Sequence, residues 1–370
     1  MLYNWQRSDW PQFVYDLASI ERELIQFADK AGQVSGLLRS LDHPTQLEAV
    51  AQVMITEALQ TSEIEGEQLN PADVMSSVRN QLGINQPAEP TTDAASAGAG
   101  QLMVAVRKAW DEDLNEPILF AWHRLLMQGH PTPQPGRWRT HTEPMQVVSG
   151  PIGRQKVHFE APPSSAVPHE MQRFFRWFNH SRTQILHAPV RAALVHLYFE
   201  SIHPFEDGNG RIGRALAEKA LSQGLGRPAL LSLSRAIQEN KSAYYEALQQ
   251  AQRSNEVSAW IAYFSRLTLT AQTRVEELVS FTLRKAQFFT RYESELNERQ
   301  LQVVRRMWEA GPEGFAGGMN ARKYISLTQV SKATATRDLQ QLAALGVLQA
   351  VGRGRSARYE LAGRGPTMRT

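Results

Sequence analysis

The chain has 370 residues, of which 42% are hydrophobic and 21% charged, with 40 Lys and Arg against 37 Asp and Glu and no cysteine. This exceeds one ordinary hydrophobic core, so two or three globular domains are expected. The lack of cysteine excludes disulfides, thiolate nucleophiles and cysteine-ligated metals, and no apolar run reaches the roughly 18–20 residues that span a bilayer. The opening MLYNWQRSDWPQFVYD lacks the basic and then apolar pattern of a secretory signal, and a cytoplasmic location with no membrane partner is the expectation. The net charge of +3 is unevenly placed: residues 321–370 carry nine Lys and Arg against two acids, so the remainder is acidic. That asymmetry points to an anionic partner for the C-terminal segment.

Apolar residues at Leu17, Ile20, Leu24 and Phe27 predict helix within 1–83, and a second helix runs through Leu47–Leu59 toward TSEIEG. NQPAEPTTDAASAGAG (85–100) reads as a linker or surface loop. Helical periodicity returns at 101–111, 117–128, 168–180, 187–201, 211–223 and 240–252, and continues to about 290. MQVVSGPIGRQKVHFEAPP (145–163) differs, because QVVS and KVHF flank Gly and Pro as a hairpin would. From 296 the pattern reads as a helix around Glu298–Ala310, a Gly-rich stretch, helix, turn, helix, and two short strands around GRGRS; the last nine or so residues read as disordered.

HPFEDGNGRIGR (203–214) stands out between two apolar helical segments. Pro204 stops the first helix, and Gly208-Asn209-Gly210 turns backbone N–H groups inward just before the next begins. Glycine-rich approaches to helix N-termini bind anions, and Arg211 and Arg214, one turn apart, can face the same anion as bidentate donors. Asp207 offers a hard oxygen for a Mg²⁺ ion that bridges phosphates, His203 could take a hydroxyl proton, and Phe205 reads as a peg into the core. Base, metal ligand, anion nest and two arginines are the parts phosphoryl-group chemistry uses. No Lys-Ser or Lys-Thr follows the glycines, so this is not a Walker loop.

These twelve residues match the signature of the Fic (filamentation induced by cyclic AMP) family, H-P-F-x-[D/E]-G-N-G-R-x-x-R, at every fixed position. FAWHRLL and QPGRWRT (120–140) and the hairpin resemble the family's upstream helix and its flap, so the resemblance covers roughly 115–265. It implies a mainly α fold: a helical Fic core with a β-hairpin flap, a helical N-terminal domain and a C-terminal winged helix-turn-helix. It also implies transfer of AMP from ATP, with Mg²⁺, to a Ser, Thr or Tyr hydroxyl of a target protein aligned at the flap (145–160). His203 would be the base, Asp207 the metal ligand, Gly208, Asn209 and Gly210 the anion nest, and Arg211 and Arg214 the triphosphate and γ-phosphate contacts. KSAYYEAL resembles the adenine-covering segment, which nominates Tyr245, and with it Tyr244 and Gln252.

TSEIEG matches the family's inhibitory pattern [S/T]-x-x-x-E-[G/N] through Thr61, Glu65 and Gly66. The resemblance places an inhibitory helix at about 46–66, N-terminal to the core, where Glu65 would pair with Arg214 and set a like charge against the γ-phosphate. Like charges a few ångströms apart in a partly buried site cost several kcal/mol. The division is then 1–100 (N-terminal helical, with the linker), 101–290 (Fic) and 291–370 (winged helix). In the last, Lys332, Arg337, Arg353, Arg355 and Arg358 could meet phosphates of DNA, with Asp338 offsetting Arg337, or the segment could dock a protein or a second copy of the chain. A DNA-binding regulator that senses nucleotide, or a Fic enzyme that uses another donor or removes AMP, are the alternatives.

Overall fold

The computed structural model describes residues 2–131, 134–149, 154, 156–311, 314–352 and 358–362. The fold is mainly α, and the chain divides into two compact units, Met1–Glu276 and Glu277–Thr370. The expected boundary after residue 290 falls near the end of one 35-residue helix, Ser258–Tyr292, that runs through the division.

In the first unit the elements are α1 (Glu21–Arg39), α2 (His43–Ile64), α3 (Pro71–Gln81), α4 (Ala94–Lys108), α5 (Glu116–Leu126), the strands β1 (Gln146–Ser149) and β2 (Lys156–Glu160), then α6 (Val167–Gln184), α7 (Ala188–Ile202), α8 (Asn209–Leu225), α9 (Leu233–Glu239), α10 (Lys241–Ala251) and the start of α11 (Ser258–Tyr292). Side-chain caps set several starts: Asp42 accepts from Thr45 N, Asn70 from Ala72 N, Asp93 from Ser96 N, and Asn115 from Ile118 N. Every residue of α7 is buried, and its sequence is mostly apolar apart from Arg191, His196, Glu200 and Ser201, so it forms the centre against which α8 and α6 pack. Helix α2 lies across α3, α4, α9 and α8.

The stretch expected as a linker is a linker only to Asp93. DAASAGAG opens α4, and Ser96 to Gly100 are buried. Its small residues are there for close approach: a Cβ on Gly100 would come within 2.8 Å of Ser77 Oγ, and one on Gly98 would strike the Leu125 carbonyl. Small residues that permit backbone contact look, in composition, like a flexible loop. The hairpin forms as expected, β1 pairing antiparallel with β2 and with a register shift between Val147 and Val148. Its turn residues 150–153 and 155 lie outside the described residues.

The second unit holds the remainder of α11, α12 (Glu298–Glu309), α13 (Ala321–Thr328), α14 (Lys332–Ala344), β3 (Leu348–Val351) and β4 (Arg358–Leu361). Its core gathers Phe288, Val304, Trp308, Tyr324, Leu339 and Leu361. Strands β3 and β4 pair antiparallel, and Met319 bridges Tyr359. The helix–turn–helix and hairpin order matches expectation, but Asp338 does not offset Arg337. It is 4% exposed and faces inward, accepting from Tyr324 OH at 2.8 Å and Arg299 Nε at 3.2 Å. Arg353, Arg355 and the C-terminal eight residues lie outside the described residues. No helix among the described residues is long and apolar enough to cross a membrane.

Candidate active site

Helix α7 ends on His203, which caps it in the left-handed region (φ 51°, ψ 61°). That conformation is costly for a residue with a Cβ, so it persists only where surroundings impose it. Arg139 does so: its Nε donates to the His203 carbonyl at 2.8 Å and its Nη2 to the Pro162 carbonyl at 2.5 Å. This guanidinium is 1% exposed, and burial pulls its pKa down to about 10. It ties the end of the flap to the backbone of the candidate base.

The loop that follows is pinned from inside. Phe205 is fully buried and stacks on His123, ring centroids 3.9 Å apart, a burial worth about 1.5–3 kcal/mol. His123 Nδ1 accepts the Gly136 N–H at 2.7 Å, so Nε2 carries the proton and donates to the Asp207 carbonyl at 3.1 Å. Burial drives the His123 pKa down to about 4, which keeps it neutral. The side chain of Asn209 is also committed to the loop, since its Oδ1 accepts from Phe205 N and its Nδ2 donates to Phe205 O, both at 2.9 Å. Of the expected nest residues, Asn209 therefore contributes only its backbone.

Gly208 (φ 81°) is the N-cap of α8, and the first ladder bond runs from Ile212 N to Gly208 O. The N–H groups of Asn209, Gly210 and Arg211 stand before that ladder, the usual anion-binding end of a helix. A Cβ on Gly210 would collide with the Glu65 carboxylate, so a side chain from another helix lies directly over the nest.

Both arginines are buried, Arg211 at 4% and Arg214 at 2% exposure. Arg214 Nε donates to Thr61 Oγ1 at 2.7 Å, and its Nη2 to Thr61 O at 3.0 Å and to Glu65 Oε1 at 2.8 Å. Burial would lower its pKa, but the Glu65 carboxylate reverses this and raises it. Arg211 Nη1 meets Glu67 Oε2 at 2.5 Å, and the other oxygen of Glu67 faces His130 Nε2 at 2.9 Å. Glu67 was not singled out in the sequence. It arrives through the cap of α2: Gly66 N donates to Glu63 O and Glu67 N to Ser62 O, with Gly66 at φ 84°. That is a Schellman turn, which needs the left-handed glycine and sends the following residue back along the helix. Lys241 Nζ donates to Ile64 O and fastens the same helix end.

Two polar atoms here have no partner among the described residues, Arg214 Nη1 and Arg211 Nε. Unpaired buried guanidinium nitrogens beside free helix N–H groups suit an anion with several oxygens. The Asp207 side chain is 60% exposed, with Arg211 Nη2 at 3.5 Å from its Oδ1. No cluster of three or more His, Cys, Asp or Glu able to hold a metal occurs among the described residues. One open carboxylate beside an anion nest fits Mg²⁺ bound partly through phosphate oxygens, its usual mode.

The nominated adenine contacts separate. Tyr245 is 38% exposed, with Lys241 Nζ 5.8 Å from its ring centroid. Tyr244 is 1% exposed and its hydroxyl lies 2.7 Å from His196 Nε2. Gln252 is 5% exposed and donates to the Glu200 carbonyl at 3.2 Å. Of the two adjacent tyrosines, Tyr244 turns inward onto His196 of α7 and Tyr245 faces out, while Gln252 holds the Glu200 backbone.

The N-terminal segment is stitched to the same region. Asn4 is fully buried and its Nδ2 donates to Ser201 Oγ at 2.8 Å. Trp5 Nε1 donates to the Glu160 carbonyl of β2 at 2.7 Å, and Tyr3 meets Phe159 edge-on at 5.0 Å.

Residues 113–221 match the model of the Fic/DOC family, and residues 3–84 match a domain of unknown function, DUF4172. The chain carries a Fic/DOC family domain. It is 38% identical over 81 residues to the protein adenylyltransferase Fic of Drosophila sechellia, covering 22% of this chain and 15% of that protein. It is 31% identical over 149 residues to a probable protein adenylyltransferase of Aquifex aeolicus, covering 40% of each. The chain therefore spans well under two thirds of either relative. A Fic family protein from Desulfovibrio desulfuricans shares the fold with a TM-score of 0.56 at 20% identity, over 96% of this chain and 99% of that one. A Fic-domain protein from Bacteroides thetaiotaomicron gives 0.52 at 18% identity, over 69% and 97%.

Proposed function

We propose that the chain is a protein adenylyltransferase that moves AMP from ATP to a hydroxyl of a target protein, and that the segment 61–67 holds it inactive. The observation that carries this reading is that each buried arginine at the N-terminus of α8 is held by a carboxylate of that one segment, Arg214 by Glu65 at 2.8 Å and Arg211 by Glu67 at 2.5 Å. Such carboxylates occupy what a triphosphate would use and repel its charge. Once they withdraw, the N–H groups of 209–211, Arg211 and Arg214 hold the phosphates; Asp207 would hold Mg²⁺, which would supply further charge neutralisation. Positioning and charge neutralisation supply most of the catalysis in phosphoryl chemistry. His203 accepts the proton of the incoming hydroxyl, and Tyr245 covers the base. The target backbone lies along the flap, where Val148 and Val157 are exposed.

Incubation of full-length protein with ATP labelled at the α-phosphate tests this. Label should transfer to protein with Glu65→Gly, fall with wild type, and vanish with Glu65→Gly plus His203→Ala. Absence of label with Glu65→Gly, on itself and in lysate, sinks the reading.

A second role for Glu277–Thr370 rests on one observation. With Asp338 turned inward, Lys332 and Arg337 lie on the exposed face of α14 with no acidic partner among the described residues. We infer that a winged helix here docks on duplex DNA, and that binding weakens with salt and with Lys332→Glu plus Arg337→Glu. Gel shifts at two salt concentrations that show no complex at either end this reading.

A further inference from the structure

Glu200 lies one turn before His203 on α7, and nothing in the signature or in the transferase reading uses it. Its side chain is 7% exposed, and its Oε2 is 3.6 Å from His203 Nδ1. Its other oxygen has no hydrogen-bond partner among the described residues. A carboxylate sunk in the core is ordinarily held by an arginine or lysine. Among the described residues no lysine or arginine pairs with Glu200; the side chain that faces its Oε2 is the imidazole of His203.

A second, separate observation places the same carboxylate against α8. A Cβ on Gly213 of α8 would stand 2.5 Å from Glu200 Oε1 and 3.2 Å from His196 Nδ1. The glycine between the two arginines is therefore small because Glu200 and His196 fill the space beneath it. Burial raises the Glu200 pKa, but His203, His196 and Arg214 outweigh it and hold the carboxyl below its usual range, so it is charged.

We propose that Glu200 is the positioning residue of His203: its carboxylate accepts the Nδ1–H hydrogen bond, which leaves the Nε2 lone pair free to take the hydroxyl proton, and it balances the imidazolium that forms. At 3.6 Å the bond is not yet formed, and such contacts commonly tighten only when substrate is bound. In the proposed reaction the target O–H bond breaks and its proton passes to Nε2. The freed oxygen pair forms the bond to the α-phosphorus. The bond from that phosphorus to the bridging oxygen breaks, and pyrophosphate leaves with its electron pair. The positive charge gained by His203 then sits against the negative charge of Glu200.

The kinetic half of the test rests on the transferase reading; the spectroscopic half does not. In full-length protein with ¹⁵N-labelled histidine, long-range proton–nitrogen correlation spectra report each ring tautomer, and His203→Ala identifies the His203 signals. Wild type should show His203 with its proton on Nδ1. Glu200→Gln, which keeps the shape and removes the charge, should shift it toward the Nε2–H form, and Glu200→Asp should retain the Nδ1–H form. Gly213→Ala, which displaces the carboxylate, should resemble Glu200→Gln. In the Glu65→Gly background, Glu200→Gln should lower kcat roughly 10–100-fold with little change in KM for ATP, less than the ~10²–10⁴-fold of losing a general base outright because the His203 imidazole remains, and Glu200→Asp should recover part of it. An unchanged tautomer in folded Glu200→Gln protein, or an unchanged kcat, overturns the proposal. If Glu65→Gly protein transfers nothing, the transferase reading fails and the tautomer alone decides on Glu200.

Discussion

Arg211 and Glu67 meet at 2.5 Å, with side-chain exposures of 4% and 20%. The pairing gives the first signature arginine the same kind of carboxylate partner that Glu65 gives the second. The two glutamates flank Gly66 in one Schellman cap, so a single local feature engages both arginines. Removing one carboxylate leaves the other in place.

Glu67→Gln should therefore add to Glu65→Gly rather than duplicate it. In calorimetric titrations with ATP and Mg²⁺, Glu67→Gln should tighten binding about 3–10-fold in either background, since a partly exposed pair is worth roughly 1 kcal/mol. Identical dissociation constants with and without Glu67 would show that this contact does not compete with nucleotide.

Glu65→Gly and Glu65→Gln should both raise nucleotide affinity, and both should lower stability, because Arg214 keeps its Thr61 bonds at 2.7 and 3.0 Å but loses its charge partner. An uncompensated buried guanidinium costs a few kcal/mol, discounted here because Glu65 is 31% exposed, which leaves about 1–2 kcal/mol. Added ATP should recover that loss, since a ligand of the native state stabilises it by mass action. Melting curves with and without ATP check both halves. A loss that ATP does not repair argues that Glu65 is structural only.

Much of this site was legible because it is local. Twelve contiguous residues carry the nest and the arginines, and each feature follows from turn chemistry and helix spacing. The Glu65 to Arg214 contact, 149 residues apart, came within reach only because a second short pattern resembled a family motif. Glu67 carried no such mark: its role depends on the cap geometry that Gly66 imposes. Glu200 could have been found, as an acid at i−3 of His203 on a helix whose other residues are nearly all apolar. Arg139 and Asn4 could not, since a buried arginine and a buried asparagine look like surface residues until their partners are placed. The misread linker shows the same limit, because small residues packed at a backbone contact and small residues in a loop have the same composition.

The neutral His123 makes stability depend on pH. Its native pKa of about 4 lies below the ~6.5 of an unfolded chain. Between those values the unfolded state binds more protons, so this contribution is complete above about pH 6.5 and is lost as pH falls toward 4. The loss is about 3 kcal/mol at most, from 1.4 kcal/mol per unit. Glu218 acts in the opposite sense: burial, with Glu57 nearby, raises it to about 8, so its contribution declines as pH rises. Comparing proteins isolates His123. Urea unfolding should show wild type losing more stability than His123→Gln between pH 7 and pH 5, although the variant is the less stable of the two at pH 7. Parallel pH profiles would mean that His123 is protonated in the native state.

The N-terminal segment should act on the flap as well as on the core. Trp5 Nε1 holds the Glu160 carbonyl at 2.7 Å, and Asn4 holds Ser201 at 2.8 Å, two residues before His203. Asn4→Ala leaves Ser201 without its buried partner and removes a buried amide, a loss of roughly 1–3 kcal/mol. Trp5→Phe keeps most of the ring contact and removes only the N–H, so its effect should be confined to β2. Hydrogen exchange followed by mass spectrometry should show faster exchange in 156–160 with Trp5→Phe, and little change in α7, whose residues are all buried. With the flap loosened, the KM for a target protein should rise while ATP binding stays the same, because the flap is proposed to align the target and the nest to hold the nucleotide. Faster exchange spread over the whole first unit would instead make the segment a general stabiliser with no particular hold on the flap.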